Sequence, residues 1–243
     1  MSEITLTNDE KARYARHLIL PQVGELGQKK IKSSSVLVVG AGGLGSPVLL
    51  YLAAAGIGRI GIIDDDKVDM TNLQRQIIHS TSSVGELKVD SAKRRINQIN
   101  PEVIIEIFGE RLNIENAEKI IEKFDIVVDG TDNFATRYTI SDCCEILDKP
   151  WVFGSIHRFE GQVSVFNLNG SPNYRDLFPK APPPELAPNC AEAGVLGVLP
   201  GIIGSFQANE VLKIILGIDG VLDSELLLID TISMNIRKLR YSA

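Results

Sequence analysis

The amino-acid sequence predicts an α/β protein with a mixed, mainly parallel central sheet and helices on both faces. Three observations carry the prediction. Short apolar runs rich in β-branched residues, such as "VLVV" at 36–39 and "IGII" at 60–63, alternate with stretches of helical spacing along most of the 243 residues. Glycines cluster where the first of these runs gives way to a helix. Further on, "EGQVSVFNL" alternates with period two, as a half-buried antiparallel strand does.

Taken in order, Thr7 and Glu10 have the spacing of a capping box and open a helix through "DEKARYARHLI" that ends near Pro21. A polar helix, "GELGQKKIKSS", follows, so residues 1–34 form an N-terminal helical segment. Val48, Leu49, Leu52 and Ala53 keep helical spacing up to Gly56, and with the two apolar runs around them they make a βαβ unit. "KVDSAKRRINQIN" is helical and stops at Pro101, "EVIIEIF" is a strand, "IENAEKIIEKF" a helix and "DIVVDG" a strand. "NFATRYTISDCCEILD" continues as a helix and "WVFGSI" as a strand. Residues 170–190 carry six of the eleven prolines and read as an extended crossover loop. The apolar helical stretch after it is interrupted at Pro200 and Gly201, and "ELLLID" and "SMNIRKLRY" close the sheet. No charged or low-complexity linker divides the chain, which is expected to form one domain over 1–243.

Composition narrows the function. With 44% hydrophobic and 23% charged residues the chain is able to bury a full core. The formal charge of −6 and the lack of a basic run beyond "IRKLR" at 236–240 speak against nucleic acid as a partner. No segment approaches the roughly 18 apolar residues of a membrane span, and the N-terminus has no signal-peptide character, so the cytoplasm is the expected location and no membrane partner is expected. Three cysteines without a C-x-x-C spacing give neither a disulfide framework nor a zinc knuckle; Cys143 and Cys144, adjacent on a helix, read as structural. His17, His79 and His157 are isolated and carry no ligand spacing.

The chemistry is concentrated around the glycines. Gly40, Gly42 and Gly45 fit G-x-G-x-x-G between a strand and a helix, which allows a tight turn, close approach of backbone to phosphate, and a helix N-terminus aimed at the anion. Asp64 ends the next strand, where an acid can hydrogen-bond a ribose. These features fit a Rossmann-like nucleotide-binding fold but leave NAD and ATP both open. Asn72 and Arg75 follow in a polar loop, Lys88 opens a helix, and Asp132 falls at the carboxyl edge of the sheet in "VVDGTDN". A guanidinium, an ammonium and a carboxylate around a glycine loop suit a triphosphate and magnesium. Individually, Arg75 and Lys88 also read as surface charges and Asp132 as a helix cap.

"RYARH", "GAGGLGSP", "NLQRQ", "GELKVDSA", "DGTDN", "GSIHRFEGQVSVF" and "CAEAGVLGVLPG" occur in that order along almost the whole chain. On these motifs the sequence resembles the MoeB/ThiF/HesA family, whose members adenylate the C-terminal glycine of a ubiquitin-like sulfur carrier. The resemblance implies ATP and Mg2+ as cofactors, a Gly-Gly-ending carrier as partner, and a homodimer. It implies that Gly43 and Asp64 hold the nucleotide, that Asn72, Arg75 and Lys88 contact phosphates, that Asp132 binds magnesium, and that Arg16 reaches the partner subunit's ATP site. Cys190 matches a cysteine that transfers sulfur in some relatives and is dispensable in others; its place before a helix would favour the thiolate. Many members carry two zinc-binding C-x-x-C pairs. Neither is present here, so no zinc is expected and the chain is most similar to the branch often followed by a rhodanese domain. Sulfur would come from such a domain, a separate sulfurtransferase or a cysteine desulfurase, and the product would feed molybdopterin, thiamine, tRNA thiolation or cysteine synthesis. Three other readings are a tRNA-nucleoside carboxylate-activating dehydratase of the same superfamily, a non-catalytic scaffold subunit and an NAD dehydrogenase.

Overall fold

The computed structural model describes residues 4–182 and 194–242. Eight strands form one sheet: β1 (Ser35–Val39), β2 (Arg59–Ile63), β3 (Ile104–Phe108), β4 (Ile126–Asp129), β5 (Trp151–His157), β6 (Glu160–Phe166), β7 (Glu225–Asp230) and β8 (Asn235–Arg240). Their order is β3-β2-β1-β4-β5-β6-β7-β8. The first five are parallel neighbours and the last three add antiparallel. The expected mixed, mainly parallel sheet is therefore the one observed.

The helices are α1 (Asn8–Arg13), α2 (Ala15–Leu18), α3 (Gly24–Ser33), α4 (Gly45–Ala55), α5 (Lys88–Ile99), α6 (Ala117–Ile121), α7 (Phe134–Ile146), α8 (Tyr174–Leu177) and α9 (Leu199–Leu216). Period-two alternation in the central strands explains why both faces need cover. In β1, Val36 and Val38 pack on one side with Val48, Leu49 and Leu52 of α4, Ala92 and Ile96 of α5, and Ile203 of α9. Leu37 and Val39 face the other side with Ile121 of α6 and Ile140 of α7. Cys143 and Cys144 lie in this second core, where burial pushes the Cys143 thiol up to about 11 and that of Cys144 well above its ordinary value. No described helix is long and apolar enough to cross a membrane.

Four elements depart from the sequence-based expectation. The first helix opens with the Thr7–Glu10 capping box but breaks at Tyr14, whose buried ring lies against Gly56 while its hydroxyl accepts a 2.8 Å hydrogen bond from Asn100. A long-range anchor thus overrides local helix continuity. Residues 174–177, expected to be loop, form the single turn α8, capped by Asn173 and anchored by Tyr174 among Trp151, Phe153 and Phe166. Pro200 does not interrupt a helix. It occupies the first turn of α9, where its missing N–H has no intrahelical partner to lose, and the helix then runs unbroken to Gly217. Finally, β6 is buried over most of its length and not half-exposed, because α9 covers one face and the aromatic cluster the other.

Candidate active site

The polypeptide runs β1, β2, β3 outward in one direction and then crosses back to β4 on the far side of β1. The carboxyl ends of β1 and β4 diverge into loops on opposite sides, and a crevice forms where open α/β sheets bind ligands. Register brings three loops together there: Val39 stands beside Ile63 and Asp129, the Gly40 N–H donates to Ile63 O (2.8 Å), and the Gly130 N–H donates to Val39 O (2.7 Å). The cleft has a volume of about 400 Å³.

Two glycines are required by close approach. At Gly40, with φ of +98°, a Cβ would lie 2.7 Å from Gly130 O; at Gly45 it would lie 2.0 Å from Gly40 O. Gly45 is therefore packed beneath the loop and does not face the cleft, whereas Gly40, Gly42 and Gly43 line it. No described residue accepts a hydrogen bond from the N–H of Gly42 or Gly43, and α4 begins immediately after, with its N-terminal end toward the same space.

Asp64 follows β2 and lines the cleft. Its Oδ2 accepts from Ala41 N–H (2.8 Å) and its Oδ1 from Asp66 N–H (2.9 Å), so it ties the glycine loop to the end of β2. Burial raises its pKa above the ordinary carboxylate value, against the opposing pull of Lys88 and the two backbone donors. Lys88 is the first residue of α5; its stem is buried and its Nζ lies 2.7 Å from Asp66 Oδ2. Arg75 lines the cleft with one guanidinium nitrogen held by Thr71 O at 3.1 Å, and its remaining donors have no partner among the described residues.

Asp132 is exposed in the cleft wall. The cap of the helix that follows is Asn133, which accepts from Thr136 N–H at 2.9 Å, so Asp132 is released from the capping role and no described group pairs with its carboxylate. The described residues also include one group of three close carboxylates, Asp64, Asp65 and Asp66. Two of these already serve Ala41, the Asp66 N–H and Lys88.

Other expected site residues stand apart. Asn72 does not line the cleft: its Oδ1 accepts from Asp69 N–H (3.3 Å) in a 3-10 turn that carries Arg75 toward the site. Arg16 is exposed on α2 and outside the cleft. Cys190 lies outside the described residues.

Several cleft residues were not singled out from the sequence. Gln76 is buried beside Gly42, and its Oε1 has no described partner. Arg137 of α7 lines the cleft and donates to Asp129 Oδ2 (3.1 Å), Thr131 O (3.1 Å) and Gly154 O (3.3 Å). Asp129 is fully buried and burial raises its pKa, with Arg137 and Thr131 opposing. Ser155 and His157 form the wall at the end of β5. A signal for two of them was present: Gln76 adjoins Arg75 in "NLQRQ", and an acid ending a buried strand, as Asp129 does, needs a cation somewhere in the fold.

The sequence profile of the ThiF family matches residues 14–243. The chain belongs to the ThiF family. It is 51% identical over 238 residues to the sulfur carrier protein adenylyltransferase of Thermus thermophilus, with 96% of this chain and 88% of that protein covered. It is 52% identical over 235 residues to the adenylyltransferase and sulfurtransferase MOCS3 of Aedes aegypti; there the match covers 97% of this chain and 54% of that protein, so this ThiF-family chain spans about half its length. Among solved structures, E. coli MccB with MccA-N7isoASN superposes with a TM-score of 0.84 at 21% identity, over 97% of this chain and 73% of that one, which is a likeness of fold.

Proposed function

We propose that this ThiF-family chain is an ATP-dependent adenylyltransferase that activates the C-terminal glycine of a ubiquitin-like sulfur carrier, with residues 1–243 acting as one adenylation domain. The observation that carries the reading is the juxtaposition, at one sheet crevice, of two cations with loop N–H groups and a carboxylate that have no partner among the described residues. The names of relatives about half identical to the chain support it, since the Thermus thermophilus protein is called a sulfur carrier protein adenylyltransferase.

The donor set fits a triphosphate. The Gly42 and Gly43 N–H groups and the N-terminal end of α4 offer donors to an anion, and Arg75, beside Gly43, and Lys88, held by Asp66, add positive charge in the same cleft. Asp64 stands where a ribose hydroxyl would donate to it. Asp132 would hold Mg2+ as a single carboxylate together with substrate phosphates, the arrangement that ion prefers, and bound there Mg2+ supplies neutralisation of phosphate charge. The carrier's terminal carboxylate is ionised at neutral pH and attacks the α-phosphorus; pyrophosphate leaves. No strong base is needed. The chain's own residues position the reactants and stabilise charge, with Arg75 and Lys88 facing the phosphate oxygens as they gain it.

In this reading Arg16, outside its own cleft, serves the partner subunit's site in a homodimer, Asn72 shapes the turn that presents Arg75, and Cys190 takes part in sulfur transfer after adenylation, with sulfur supplied by a sulfurtransferase or cysteine desulfurase. The test is intact mass spectrometry of a Gly-Gly-ending carrier incubated with the protein, ATP and Mg2+. A carrier heavier by one adenylate, absent when the terminal glycine is removed, is expected. An unchanged carrier, with protein that instead binds NADH or labelled tRNA, would overturn the proposal.

A further inference from the structure

His79 is buried, outside the residues assigned to phosphate, ribose or metal, and both its ring nitrogens are occupied. Nε2 lies 2.9 Å from the Ala41 carbonyl oxygen and Nδ1 lies 2.9 Å from Ser91 Oγ of α5. A carbonyl oxygen only accepts, so Nε2 carries the proton and donates it, and in the neutral ring Nδ1 accepts from the Ser91 hydroxyl. Burial holds the His79 pKa below its ordinary value, and the nearby Lys88 charge acts in the same direction.

The contact matters because of what Ala41 is joined to. The Ala41 carbonyl and the Gly42 N–H belong to one planar trans peptide and point in opposite directions. Holding the carbonyl on the His79 side therefore turns the Gly42 N–H to the other side. Gly42 lines the cleft and no described group accepts from its N–H. The Ala41 N–H, on the preceding peptide, is held by Asp64 Oδ2. The two polar groups of a fully buried Ala41 are thus clamped by side chains from separate loops, and a glycine-flanked segment with wide backbone freedom is restricted to one orientation.

We propose that His79 is a positioning residue: by donating Nε2–H to the Ala41 carbonyl it aims the Gly42 N–H at the phosphates of the bound nucleotide. The inference rests on the ATP reading given above. Preorganised donors of this kind cost no reorganisation when the anion arrives.

The experiment compares wild type, His79→Gln and His79→Leu by calorimetric titration with the non-hydrolysable analogue AMPCPP plus Mg2+, thermal unfolding and pyrophosphate exchange. Glutamine keeps an N–H donor at the end of its side chain; leucine removes it while filling much of the space. His79→Leu is expected to fold and to weaken AMPCPP binding about tenfold, equivalent to about 1.4 kcal/mol. His79→Gln is expected to stay within about threefold of wild type, the rescue that marks a hydrogen bond and not packing. Unchanged binding in a folded His79→Leu protein, or equal loss in both variants, overturns the inference. Should His79→Leu fail to fold, 15N-histidine spectra of the wild type decide: Nε2 protonated and Nδ1 bare, with and without nucleotide, is expected, and a protonated Nδ1 with a bare Nε2 overturns it. A wild type that binds no AMPCPP would instead sink the ATP reading itself.

Discussion

Replacing Arg137 by Leu leaves Asp129 without its cation at a position fully closed to solvent. Removing one partner of a buried pair typically destabilises by about 3–5 kcal/mol. An independent bound comes from protonation: an orphaned Asp129 escapes the penalty by taking up a proton, and holding an ordinary carboxyl of pKa about 3.9 protonated at pH 7.5 costs about 4.9 kcal/mol. At pH 5.5 the same escape costs only about 2.2 kcal/mol.

The sign follows from linkage. Burial already raises the Asp129 pKa in the wild type, and Arg137 pulls it back. Without Arg137 it rises further, so the folded variant binds a proton that the unfolded chain has released. Between the wild-type and variant values the variant therefore loses stability, relative to wild type, as pH increases, by about 1.4 kcal/mol per pH unit. Urea unfolding at pH 5.5 and 7.5 should show a deficit of about 2 kcal/mol growing to about 3–5 kcal/mol. The double variant Arg137→Leu with Asp129→Asn should lose most of this pH dependence. A deficit that does not change with pH, or one below about 1 kcal/mol at pH 7.5, would refute the ion-pair account.

Gly45→Ala should weaken ATP binding at least tenfold by titration, because the new Cβ meets backbone at Gly40 O and the loop has to move although Gly45 itself is outside the cleft. Asp132→Ala should lower pyrophosphate exchange by about two orders of magnitude with an unaltered melting temperature, since the residue is exposed and makes no described contact. Asn133→Ala should show the converse bias, a loss of about 1 kcal/mol in unfolding free energy from the missing cap of α7. Mixing inactive Arg16→Ala and Asp132→Ala proteins should restore about a quarter of wild-type exchange if subunits trade one intact composite site per mixed dimer; no recovery after subunit exchange would remove Arg16 from the partner's site.

What was legible in the sequence was what local spacing encodes. The strands, the helices α4, α5 and α7, and the glycine loop depend on neighbours within a few residues, and Asp64 and Asp132 were found because both follow buried strands that end on one edge of a parallel sheet. The break at Tyr14, the turn at Tyr174 and the cover over β6 depend on residues tens of positions away, and no periodicity announces them. The same holds inside the cleft. Arg137 and His79 bond to the aspartate and glycine loops through tertiary contacts, so each reads in the chain as an ordinary helix or loop residue, whereas Gln76, packed beside Gly42, was signalled only by its place next to Arg75. Asn72 shows the reverse error of emphasis: it is near the site in sequence, yet its side-chain oxygen is spent on the turn that carries Arg75.

The central claim is that this cleft uses ATP to activate a carrier's C-terminal glycine. The most direct measurement is exchange of labelled pyrophosphate into ATP with a carrier ending in Gly-Gly, alongside the same carrier lacking its last glycine and the Asp132→Ala protein. The account predicts exchange that requires both the intact tail and Asp132. Exchange that persists without the tail, or none with any Gly-Gly carrier, would contradict it.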